Sequence, residues 1–112
     1  MDIFGAIEGL VSTLVDAGLS ASPDNQGLNP PCVYVHPGDI TPLTLDGTYT
    51  MSAQVSLIAP NTSQKGNLVA LNEMLDLVLT VLEPDGPIDT QGVASVNNKN
   101  LPAFSFPVNL DL

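Results

Sequence analysis

From residue 48 to residue 57 every second side chain is apolar. Tyr49, Met51, Ala53, Val55 and Leu57 fall on one side of an extended chain, and Ala59 continues the set. Thr48, Thr50, Ser52, Gln54 and Ser56 fall on the other side. A period of two does not fit a helix, so this stretch is a strand whose apolar side demands a covering layer. Asp46-Gly47 just before it is a turn signal, which makes residues 40–45 the preceding hairpin strand. The polar side carries no charge, unlike an ordinary solvated sheet surface. Depletion of charge is the compositional mark of an interface core.

The flanking segments supply the cover. Asp2 is placed to cap a helix whose apolar residues, Ile3, Phe4, Ile7, Leu10, Val11, Leu14 and Val15, recur at spacings of three and four, and Gly18 is placed to end it. Residues 20–31, rich in Asn, Pro and Gly, read as an irregular loop. Pro30 and Pro31 lead into a short strand, Cys32-Val33-Tyr34-Val35-His36, closed by Pro37-Gly38. After the long strand, Asn61-Thr62-Ser63 offers caps for a second helix over residues 64–82. Its stripe of Leu68, Leu71, Leu75, Val78, Leu79 and Leu82 is widened by Val69, Met74, Leu77 and Val81. An apolar arc that broad predicts packing on more than one side, against the sheet and also against the first helix or a neighbouring subunit. Pro84-Asp85-Gly86-Pro87 stops the helix, and two weaker strands follow at residues 92–96 and 103–110. Pro102 and Pro107 in the last strand predict an edge position. The expected fold is α+β in one domain over residues 1–112. It is a small antiparallel or mixed sheet with two helices on one face, in the order α-β-β-β-α-β-β.

Charge removes several functions. Lys65 and Lys99 stand against 12 Asp and Glu with no Arg, a net charge of −10, so the chain repels nucleic acid and anionic membrane surfaces. The most apolar stretch, residues 68–82, is too short for a bilayer span and contains Asn72, Glu73 and Asp76, and no basic segment opens a secretory signal at the N-terminus. Cys32, His36 and Asp39 are the nearest approach to a catalytic set. Four residues along a strand separate Cys32 from His36 by about 13 Å, too far for proton transfer. The expectation is therefore a Cys32 packed as a small hydrophobe, a His36 at a strand end, and no enzyme activity. No His or Cys pair has a metal-ligand spacing, no glycine-rich phosphate loop is present, and no cofactor is expected. Asn61-Thr62-Ser63 matches a glycosylation sequon, but capping is the better reading in a chain without a secretory signal. The candidate site is instead a subunit interface: Thr48, Thr50, Ser52, Gln54 and Ser56 on the neutral strand face, with Val69, Leu77 and Val81 on the second helix.

These segments together resemble the tail-terminator, or tail-completion, proteins of long non-contractile-tailed bacteriophages. The resemblance runs over the opening helix to Ala17-Gly18-Leu19, then Asn29-Pro30-Pro31-Cys32-Val33-Tyr34-Val35 and the strand from Gly47-Thr48-Tyr49. It continues through the helix around Leu71-Asn72-Glu73-Met74-Leu75 and the final Leu101-Pro102-Ala103-Phe104. It implies an α+β subunit made in the host cytoplasm and built into the virion as a ring, usually of six copies, at the head-proximal end of the tail tube. Its implied partners are other copies of itself, the tube protein and a head-side connector. DNA passes through the lumen without specific binding, and a ring of six at −10 each carries −60, which keeps DNA from sticking. The absence of Arg departs from the pattern and leaves ring closure to packing and backbone pairing. Rival expectations are another neck protein, such as a head-completion or adaptor subunit, and a small monomeric binding module.

Overall fold

The structure is a computed structural model and describes residues 2–24, 29–42, 47–60, 62–96 and 99–112. Helix α1 spans Ile3–Asp16, and the Asp2 carboxylate accepts the Gly5 N–H at 2.9 Å, as a cap should. Gly18 takes φ +96°, and the Gly18 and Leu19 N–H groups donate to the Val15 and Leu14 carbonyls at 3.0 and 3.1 Å. This paired closure turns Leu19 back onto Leu14, and both are buried in the core. α1 buries Ile7, Leu10 and Leu14, whereas Phe4 and Val15, expected on the same stripe, are exposed. The arc that reaches the sheet is narrower than the arc of apolar residues.

The sheet has six strands: β1 Ala21–Ser22, β2 Cys32–His36, β3 Ile40–Pro42, β4 Tyr49–Ile58, β5 Asp89–Val96 and β6 Lys99–Asp111. Helix α2, Gln64–Leu79, lies between β4 and β5 in the chain. The spatial order is β1-β2-β4-β6-β5, with β3 also paired to β4. The fold is α+β, and both helices share one core with a single face of the sheet. The expected order holds with one addition inside the segment read as loop: β1 pairs in parallel with β2 and makes the sheet mixed. A two-residue strand has no periodicity to reveal it.

β2 and β3 lie end to end along one edge of β4. His36 faces Gln54 and Ile40 faces Met51, so four steps on one side answer three on the other. One extra residue is thus accommodated at Pro37-Gly38-Asp39, a bulge between two halves of one broken strand. The Asp39 carbonyl accepts the Ser52 N–H at 2.8 Å, which keeps the ladder closed across the break. A Cβ on Gly38 would collide with the Ser52 carbonyl, so the backbone approach itself requires glycine. β3 supplies the expected hairpin partner over Ile40–Pro42, and residues 43–46, with Asp46, lie outside the described residues.

β6 is longer than the expected 103–110 and is not an edge strand, since it pairs with both β4 and β5. Its prolines are tolerated for a local reason. The Pro107 carbonyl accepts the Asp85 N–H at 2.9 Å, so the main-chain groups of Pro107 turn away from β4 beyond the last β5 pair. Pro102 lies where β4 has ended, and its carbonyl accepts the Ala59 N–H at 3.0 Å. The missing N–H of Pro107 therefore falls where no ladder donor is required, and that of Pro102 removes only the return bond to Ala59 just past the end of β4.

α2 is capped by Ser63, whose hydroxyl accepts the Gly66 N–H at 3.1 Å, and it ends at Leu79 rather than continuing to residue 82. Thr80 competes for the last turn, its hydroxyl donating to the Leu77 carbonyl at 2.6 Å. The buried face is Asn67, Leu71, Met74 and Val78. Asn67, absent from the expected stripe, is satisfied by the Thr62 hydroxyl and N–H at 2.8 and 3.2 Å. Asn61 lies outside the described residues.

Candidate interaction surfaces

Alternation along β4 sends Met51, Ala53, Val55 and Leu57 into the core beneath the helices. Thr50, Ser52, Gln54 and Ser56 lie half-buried on the opposite face, Thr48 is exposed before the strand begins, and Tyr49, expected in the core, is exposed at its start. Register extends this neutral face sideways. Tyr34 and His36 stand beside Ser56 and Gln54 on β2; Ser105, Pro107 and Asn109 stand beside Ser56, Gln54 and Ser52 on β6. Among the described residues of these strands, charge stands where they end, with Asp111 opposite Thr50, Asp89 opposite Ser105 and Lys99 opening β6. The Tyr34 and His36 rings stack at 5.0 Å between centroids.

The same face changes character toward the β5–β6 turn. Cys32, Ile58, Val96, Leu101 and Ala103 form a second buried apolar cluster, with Tyr34 and Ala94 at its margin. Among the described residues the cluster is built from strands alone, the hairpin packing with Cys32 of β2 and Ile58 of β4. Cys32 is 2% exposed, and burial pushes its thiol up from the ordinary value. A thiolate nucleophile needs the reverse, exposure and a depressed value. Among the described residues no cluster of three or more His, Cys, Asp or Glu is arranged to hold a metal ion, and no helix is long and apolar enough to cross a membrane.

The three interface residues predicted on the second helix belong to the other layer. Val69 and Leu77 are exposed on α2 and Val81 just beyond its end, with Leu68 and Leu79 also exposed. Packing on more than one side, as predicted for this helix, is not met within one copy: α2 packs on the sheet and leaves these side chains outside. Two apolar grooves flank it. One of about 290 Å³ runs between α2 and the end of α1, lined by Gly18, Leu19, Ala70, Glu73, Met74 and Leu77. The other, about 440 Å³, is lined by Leu68, Val69, Asn72, Glu73 and Phe104. The eight predicted residues therefore form two surfaces on opposite sides of the sheet.

Sequence reasoning missed a further feature, the separation of charge. Residues 47–72 and 90–110 contain both lysines and none of the twelve carboxylates. Folding brings much of these two segments together at one end of the molecule: the second half of β4, the start of α2 and the β5–β6 hairpin. Reading charge segment by segment, rather than as a net total, is the signal that finds it. Compared with family models, curated proteins and solved structures, the chain matches none.

Proposed function

We propose that this chain is a structural subunit of a bacteriophage tail, forming a ring at the head-proximal end of the tube. There the ring ends tube polymerisation and offers a surface for head joining. The observation that carries the reading is the pair of unlike surfaces on opposite sides of the sheet, a neutral polar face and an apolar helix face. A ring closes through head-to-tail contacts between different patches, whereas a self-complementary dimer uses one patch twice. The resemblance of the segments to tail terminators supplies the kind of ring. Its lower surface pairs with the last tube ring, and its upper surface differs enough that no further tube subunit adds. A separate tail-tube protein and a head-side connector are the partners on this reading, and DNA crosses the acidic assembly without being held.

Deleting the gene tests it. Polydisperse, overlong tails without heads are the expected product under negative stain. Tails of normal length that fail to join heads would move the chain to a head-side neck role, and normal infectious particles would overturn both.

A further inference from the structure

We propose that the β5–β6 hairpin of one copy seats on the outward face of α2 in the next copy; this rests on the reading of the chain as a ring subunit. The hairpin is built to reach outward. Pairing of β4 with β6 ends at Ile58 opposite Ala103, while β5 and β6 continue to Val96 opposite Lys99. Residues 93–96 and 99–102 thus run past the end of β4 in a molecule 50 Å long and 25 Å wide. Val93, 67% exposed, is the most exposed large hydrophobic side chain among the described residues, and its cross-strand neighbour Pro102 is exposed as well. The pair lies at the base of this projecting ribbon, where Pro102 borders the start of its own α2 while Val93 stays uncovered and open to a partner.

The receiving surface lies on α2. Glu73 and Leu77, four apart, share a side of the helix, and exposed Val81 follows just past its end. Leu77 is 43% exposed and walls the groove against Gly18 and Leu19. Charge selects the partner. The projecting part of the hairpin, residues 93–102, offers Lys99 and no carboxylate, whereas the exposed Glu73, Asp76 and Glu83 lie along and just after α2. Neither helix has a basic residue in its last turn, so the negative ends of both dipoles are left for an outside cation. A hairpin cannot reach this surface on its own copy: Gln64, beside Pro102, is separated from Leu77 by about 19 Å of helix at 1.5 Å per residue. The contact joins two different patches and so propagates head to tail.

The test is oxidative trapping between two single-cysteine surface variants, V93C and a tagged L77C. Both replaced side chains are exposed, and Cys32 is buried with its thiol pushed up, which keeps it out of the exchange. The mixture should form the V93C–L77C disulfide about tenfold or more faster than V93C mixed with a control S12C, because docking raises the local concentration. Equal rates, or V93C pairing fastest with itself, overturn the docking. The deletion assay reports separately on the neck reading. Overlong tails without the V93C–L77C bond sink the docking alone, and the bond with normal particles sinks the neck role alone.

Discussion

Gly9, Gly18 and Gly38 sit in three environments and should answer the same substitution in three ways. Gly9 lies inside α1 with open space where a Cβ would go, so Gly9→Ala should stabilise by about 0.5–1 kcal/mol through lost freedom in the unfolded chain. Gly18 closes the helix at φ +96°, and Gly18→Ala should cost about 1–2 kcal/mol. Gly38→Ala should cost more than that, above about 2 kcal/mol, because a backbone carbonyl rather than a torsional preference opposes it. Urea midpoints of the three variants check the ranking, and Gly38→Ala ranking mildest would overturn the bulge geometry. Gly18 was readable from sequence, since it follows directly on a run of helical period. Gly38 was readable only as a turn; its real constraint comes from Ser52, a partner fourteen positions away that local pattern does not reveal. Cys32 shows the same division: spacing argued against a pairing with His36, while the burial that suppresses its thiolate depends on Val96 and Leu101, far along the chain.

The elements that sequence specified are those with a long period or sharp flanking breaks: α1 and β4 by period and β2 by its bracketing prolines appear where expected, and α2 differs only in its last turn. β1 is too short, at two residues, to carry a pattern, and β6 lies inside the sheet because each proline restricts one position rather than the whole strand. The free side of β6 beyond its β5 partner is instead held by the segment after α2. Asp85 donates its N–H to the Pro107 carbonyl and accepts the Asn109 N–H on its carboxylate at 2.7 Å. Asp85→Ala should remove that second bond, destabilise by about 1 kcal/mol, and speed amide exchange at Asn109 while leaving the β4 amides protected. Unchanged exchange at Asn109 would mean that the clip contributes nothing to the strand. The interface candidates were legible as residue types on two elements; that they occupy two sides of the molecule followed only once β4 and α2 were packed.

Ten net negative charges on a chain of 11.7 kDa oppose the contact between copies proposed above. At 0.01 M salt the Debye length of about 30 Å exceeds the 25 Å width of the molecule, so each copy repels the next as a whole. At 1 M it falls to about 3 Å, which removes that repulsion and weakens the Lys99 contribution by no more than about 1 kcal/mol, the value of an exposed ion pair. The mass measured by light scattering should therefore rise with salt, and a fall would mean that ion pairing rather than apolar contact holds the copies together. The stagger of β6 also has a mechanical consequence. In the proposed docking, a neighbour that grips the projecting strands beyond Ala103 would pull along the axis of β6, and the hydrogen bonds to β4 lie across that axis. The nine pairs from Thr50–Asp111 to Ile58–Ala103 then carry the load together in shear, instead of opening one after another like a zip.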